Sequence, residues 1–302
     1  MNMKGNQIQH HRIKGESILG MLFLLPALLL IFFFLLLPVV MTIILSLTDG
    51  KGFTMGSFVG LANYIKLFQD KEFFSWNGGA CGGAIVTSLQ WLILGVPVVI
   101  CLGFCVALIT QRYKYRKILR SIFFIPLAIS GTSTAIIWMF VFTPNPNVGL
   151  LAAFLHSSFS WLGTPKTVNV ALIFTWIWSQ MGMALIILAA ALERVPEELL
   201  EASRIDGADD RQCFCHVTLP SIKPQLSFLV VTELVQVLKV FDIVFVLTDG
   251  GPANKSQTLA LLFYKQTFIF SSPHFGAAVV SIMALFIVVI YCISRAVTKE
   301  EE

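Results

Sequence analysis

The chain has 302 residues, of which 56% are hydrophobic and only 13% charged, and its mean hydropathy is +0.81. A soluble domain carries about 25% charged residues, and a chain this short could not enclose so much apolar surface, so the bilayer must be its solvent. The net charge of +4 is too small to argue for a nucleic-acid partner.

Residues 1–17 are polar and carry Lys4, Arg12 and Lys14. The apolar run from about Ile18 to Leu47 is too long for a signal-peptide core. It has no small-x-small cleavage site before Thr48-Asp49-Gly50, so it reads as a retained span. Further apolar runs lie at about 84–110, 118–142, 168–192, 225–247 and 275–294. Each reaches the roughly 20 residues a helix needs to cross a bilayer. The expected fold is an all-α integral membrane protein with six transmembrane helices, a single domain over 1–302. Turn residues mark the short connections: Asn77-Gly78-Gly79 and Gly82-Gly83 before the second span, Pro144-Asn145-Pro146 after the third, and Asp249-Gly250-Gly251-Pro252 after the fifth.

The longest polar interval in the second half of the chain is 193–224. It reads as two short helices around a bend. Pro196 suits a first helical position, and Glu197 and Glu198 suit the positive end of the helix dipole. Gly207 reads as a left-handed stop, and Pro220 and Pro224 break the second segment. With the N-terminus inside, fourteen of the 21 Lys and Arg residues fall on cytoplasmic segments, five of them between Arg112 and Arg120, and six fall outside. That bias places the 1–17 tail, the 193–224 loop and both termini in the cytoplasm.

Apart from Arg120 at the cytoplasmic edge of the third run, only the fifth run carries charge within the spans: Glu233, Lys239 and Asp242. Each costs about 2.5–3.5 kcal/mol at a helix centre, so each should face protein or a wet cavity. At helical spacing Glu233, Gln236, Val237 and Val240 share a face that could line a solute pathway, while Lys239 and Asp242 could pair as i, i+3 neighbours. The alternative is that all of them hold the bundle together by inter-helix hydrogen bonds. In the fourth run Trp176, Trp178, Ser179 and Gln180 place aromatic rings beside an amide, a combination suited to sugar faces and hydroxyls, with Trp178 and Gln180 the candidates. Six cysteines give no disulfide or metal framework, and no metal or catalytic site is expected. The nearest string to a phosphate loop, Gly250–Ser256, has Asn254 where the second glycine is needed.

Glu201-Ala202-Ser203, Gly207 and then, after nine intervening residues, Val217-x-Leu219-Pro220 resemble the EAA loop of ABC importer permeases. Ser203 and Val217 depart from its pattern, both conservatively in size. Ile205-Asp206-Gly207-Ala208 is similar to the carbohydrate branch of that family. So is Phe241-Asp242 through Leu247-Thr248-Asp249-Gly250-Gly251-Pro252, which resembles the first of two paired permeases of the maltose, lactose and glycerol-phosphate group. The resemblance implies a type I importer fold. It implies a cytoplasmic coupling helix, with Glu201, Ala202, Ser203, Asp206, Gly207, Ala208, Leu219 and Pro220 meeting the ATPase, and Trp178 near the bound sugar. It implies a non-enzymatic subunit in a prokaryotic cell membrane, paired with a second permease, two cytoplasmic ATPases that bind ATP and magnesium, and an external solute-binding protein. This chain itself would bind no cofactor. An ion-driven secondary carrier of a small polar solute is the alternative reading, and a non-transporting scaffold a third.

Overall fold

The computed structural model describes residues 23–50, 52–77, 80–111 and 113–299, and the side chains of 76–81 and 295–299 fall outside that description. The N-terminal tail with Lys4, Arg12 and Lys14, and the start of the first span at Ile18, also lie outside it.

Helix α1 (Phe23–Ser46) is a single apolar rod whose side chains from Phe23 to Ile44 almost all point away from the rest of the chain. Its end is fixed by a polar knot. Asn63 Nδ2 donates to the carbonyls of Ser46 and Thr48 at 2.9 Å each. The Ser46 and Tyr64 hydroxyls meet at 2.7 Å. Asn63 and Tyr64 belong to the short helix α2 (Ala62–Gln69). A two-stranded antiparallel ribbon follows, β1 (Ser75–Asn77) against β2 (Ala80–Gly82), a small departure from the all-helical expectation.

Helix α3 (Ala84–Gln111) and helix α7 (Val168–Leu192) pack along their length and form the centre of the bundle. Leu172, Leu185 and Leu188 of α7 are fully buried there, with Trp91 and Val99 of α3. Helix α7 also meets helix α4 (Arg116–Ala128). At Gly182 a Cβ would lie 2.7 Å from the Phe123 carbonyl oxygen. Only glycine allows that backbone approach, as small residues do at helix contacts in membranes.

The third apolar run is not one straight span, as the sequence suggested. Helix α4 stops at Ala128 and helix α5 (Gly131–Phe142) leaves at 98° to it. Pro126 removes a backbone donor in the last turn of α4. Ser130 then caps the new helix, its Oγ accepting from the Ser133 N–H at 3.2 Å. A short helix α6 (Leu150–Leu155) leads on to α7.

Beyond α7 the polar interval forms helix α8 (Glu197–Ile205) and helix α9 (Asp210–Cys213), the latter running on through a wide turn over Phe214–Thr218. The fifth run is also broken. Helix α10 (Lys223–Leu238) ends at Lys239, and helix α11 (Asp242–Thr248) starts afresh three residues later. Helix α12 (Leu259–Tyr264) and helix α13 (Pro273–Lys299) complete the chain, α13 packing against α1, α10 and α12. Among the described residues four helices are long and apolar enough to cross a membrane, five if the bent α4–α5 pair counts as one crossing.

At the bundle end away from α8, the loop after α11 stitches three helices together. The Lys255 carbonyl accepts from Asn169 Nδ2 of α7 at 2.9 Å and from the Thr87 hydroxyl of α3 at 3.2 Å. The Leu259 N–H donates to Ser88 Oγ at 3.0 Å.

Candidate functional site

Two places carry polar chemistry that the packing of the bundle does not explain. The first is the loop between α7 and α10. Pro196 stands just before α8 with extended backbone, one position earlier than the sequence suggested, and Glu197 and Glu198 fill the first turn. The chain then reverses at Gly207, whose φ is +87°. A Cβ added at Gly207 would meet nothing within 4 Å. The requirement for glycine is therefore one of backbone conformation alone. The turn is closed by the Ala208 N–H, which donates to the Ser203 carbonyl at 3.0 Å. Helix α9 begins with a reciprocal cap that the sequence reading missed. Asp209 Oδ1 accepts the Gln212 N–H at 2.7 Å and Gln212 Oε1 accepts the Asp209 N–H at 2.9 Å. The Asp-x-x-Gln spacing was the available signal.

Among the motif residues, Ser203 turns inward and its hydroxyl meets the buried Cys213 thiol at 2.9 Å. Ala208 is half-buried beside it. Glu201, Ala202, Asp206, Leu219 and Pro220 are exposed. The outer surface also presents two large apolar side chains, Leu199 and Ile205, with Ile205 86% exposed. They lie six residues apart, about 120° around α8, as two separate apolar points rather than one patch. The loop is fixed to the bundle by Phe214, whose ring lies 5.8 Å from that of Phe104 on α3. At its root, Arg120 Nη1 donates to Glu193 Oε1 at 2.8 Å, and Arg116 stands 3.6 Å from the same oxygen. The hydrogen bond from Arg120 and the charges of Arg120, Arg116 and Lys117 hold the Glu193 carboxyl below the usual carboxylate range.

The second place is a cleft of about 230 Å³ where the two helix breaks face α7. Pro126, Leu127 and Ile129 at the end of α4 and Gly131 and Thr134 of α5 form one wall. Trp176, Ser179 and Gln180 of α7 form the second, and Gln236 together with Lys239–Ile243 forms the third. Thr134 Oγ1 and Gln180 Oε1 are buried with no hydrogen-bond partner among the described residues. Two unsatisfied acceptors in one cleft are a costly arrangement unless something else fills them.

Three of the six pathway candidates line this cleft: Gln180, Gln236 and Val240. Three do not. Trp178 packs edge-on against Trp138 at 5.7 Å, and the aromatic wall is Trp176 instead. The two residues project about 200° apart on a helix of 3.6 residues per turn. Trp176 shares its face with Ser179 and Gln180, and that phase was the signal to use. Val237 is 1% exposed in the core. Glu233 is wholly buried on the apolar ridge between Leu229 and Val237, and neither carboxylate oxygen has a partner among the described residues. The expected Lys239–Asp242 pairing is also absent. The helix ends between them, so the i, i+3 geometry does not exist, and no ion pair joins them among the described residues. The Asp242 carboxylate instead lies against the start of α5, with Oδ2 2.8 Å from where a Cβ on Gly131 would sit.

The family described as "Binding-protein-dependent transport system inner membrane component" matches residues 99–300. The "osmoprotective compounds uptake permease protein" of Synechocystis sp. is 35% identical over 275 residues, covering 88% of this chain and 94% of that protein. The "alpha-glucoside transport system permease protein" of Rhizobium meliloti is 34% identical over 90% of this chain and 80% of its own length. In a crystal structure of a bacterial ABC transporter involved in the import of the acidic polysaccharide alginate, one chain superposes with a TM-score of 0.80 at 21% identity. The overlap covers 97% of this chain and 99% of that one, a likeness of type I ABC permease fold. Sequence family and fold agree: this chain belongs to the binding-protein-dependent transport system inner membrane components, the permease subunits of ABC importers.

Proposed function

We propose that the chain is the first of two paired permeases in an importer of a neutral sugar or oligosaccharide. It would cross the membrane of a prokaryotic cell six times, with α4–α5 as the third crossing, α10–α11 as the fifth, and both termini cytoplasmic. Helix α8 is the coupling helix that seats in a partner ATPase. ATP and magnesium stay on two such partners, and an external binding protein delivers the solute. The observation that carries this reading is α8 itself: a short helix held clear of the bundle by Gly207 and the Ser203–Cys213 contact, with Leu199 and Ile205 uncovered.

The cleft supports the choice of solute. It offers amides from Gln180 and Gln236, a hydroxyl from Thr134, an indole face from Trp176, and one charge of each sign from Lys239 and Asp242. Such a lining matches hydroxyls and flat C–H faces better than a strongly charged ligand. The alpha-glucosides named for one relative agree with a sugar solute.

The decisive experiment is uptake by the reconstituted complex of permeases, ATPases and binding protein. Accumulation should require ATP and survive collapse of ion gradients; uptake driven by a gradient without ATP would establish the secondary-carrier alternative. In the same system Gln180→Leu and Gln236→Leu should each weaken solute affinity about tenfold, the value of one good hydrogen bond at about 1.4 kcal/mol, with assembly unchanged. An unaltered affinity in both variants would remove the cleft from the pathway. For topology, cysteines engineered into 52–75 and 253–265 should react with a membrane-impermeant thiol reagent added outside intact cells. Cysteines in 196–215 should not, and labelling there would invert the orientation.

A further inference from the structure

The ion pair at the root of the coupling loop sits where two functional places are joined by a single rigid element. Glu193 is the residue immediately after α7, and four residues later the coupling helix begins at Glu197. Arg120, on the second turn of α4, donates to Glu193 through Nη1 at 2.8 Å and to Thr110 Oγ1 at the end of α3 through Nε at 3.3 Å. Its side chain is only 15% exposed, so solvent screens this contact less than an open surface pair. Helix α4 has no break between Arg120 and Pro126, a run of roughly 9 Å at 1.5 Å per residue. At the far end of that run Pro126, Leu127 and Ile129 form a wall of the cleft. The 98° bend to α5 follows directly, so α4 can tilt without carrying α5 with it.

We infer that Arg120 and Glu193 are positioning residues that transmit displacement of the coupling loop to the cleft wall. A push on α8 moves the end of α7, Glu193 draws Arg120 with it, and α4 swings its other end at the 129–130 break. The close contact of Gly182 with the Phe123 carbonyl lies between the two ends of the lever and keeps α4 on α7. Without the charged contact the loop would still dock, but its displacement would be lost before reaching the cleft. The groups facing Glu193 are Arg116, Lys117 and Arg120, all cationic. A depressed carboxylate keeps its contact above its unfolded value of 4.5 and loses it as pH falls through the lower folded value. The link should therefore be constant from pH 5 to 8.

The inference rests on the reading of α8 as the ATPase contact, and the test separates the two. In the full complex in lipid nanodiscs, spin labels at the exposed positions Ile122 of α4 and Ile137 of α5 report the angle at the break. Magnesium ATP with vanadate should change their separation in the wild type. Glu193→Gln and Arg120→Gln should reduce that change at least fivefold while the ATPases still co-purify and hydrolyse ATP. Arg120→Lys, which keeps the charge, should retain at least half of it. An undiminished change in assembled Glu193→Gln, an Arg120→Lys variant no better than Arg120→Gln, or loss of the ATPases from Glu193→Gln would each overturn the link. Gly207→Val is the control on the premise. If it kept full ATPase recruitment, α8 would not be the contact, whatever the spin labels report.

Discussion

Replacing Gly207 with valine should abolish ATP-driven uptake, with the protein still inserted at normal levels. The residue sits at φ +87°, where an L side chain is strained by about 1–2 kcal/mol and a β-branched one by more. No neighbour lies within 4 Å of the would-be Cβ, so there is no clash to confuse the result. Relief of the strain would require φ to turn negative, which would swing α8 away from α9 and break the Ala208-to-Ser203 closure. The bundle itself is packed elsewhere, around Leu172, Leu185 and Leu188, and should not notice. Asparagine tolerates the left-handed region, so Gly207→Asn should keep most of the activity. The measurement is co-purification of the ATPases alongside uptake, across wild type, Asn and Val. A valine variant as active as the asparagine one would show that the turn does not set the coupling geometry.

The loop was the most legible part of the sequence because local rules determine it. Proline, paired glutamates and a glycine stop act over a few residues, and the structure keeps Pro196, Glu197, Glu198 and Gly207 close to their expected places. The apolar runs were equally plain as membrane material. What they concealed was continuity. Hydropathy averages over about 20 residues and does not register that Ser130 can cap a new helix, or that Lys239 ends one. Both breaks fall inside runs that read as single spans. The site suffered for the same reason. Glu233, Gln236, Val237 and Val240 share one face only if the helix runs on past Leu238, which it does not, and Trp176 rather than Trp178 shares the face of Ser179 and Gln180. Residues on intact helix next to the cleft, Gln180 and Gln236, could be found from the sequence. Of those placed by a break, Val240 and Asp242 stood out in the sequence only as a face position and a charge, and Ile129 carried no signal.

Glu233 should prove to be a group kept for function at the expense of stability. It is wholly buried between Leu229 and Val237, and neither oxygen has a partner among the described residues. A charged residue at the centre of a membrane helix costs about 2.5–3.5 kcal/mol, and an apolar side chain at this point would extend the ridge without that cost. Glu233→Leu should therefore raise the thermal midpoint of the complex by several degrees. It should also impair transport, because Glu233 lies only about 60° around α10 from Gln236 at 3.6 residues per turn. A modest rotation of α10 during the cycle would carry the carboxylate into the cleft beside Gln180, where its oxygens could accept from solute hydroxyls. Glu233→Gln keeps the shape and a hydrogen-bonding head, so it should retain assembly with altered solute affinity. The rotation can be tested directly. In a background without the six native cysteines, Cys at position 233 should resist a hydrophilic thiol reagent in the resting complex and react during ATP turnover. If it stays unreactive throughout turnover and Glu233→Leu transports normally, the carboxylate never enters the pathway and its burial has no part in transport.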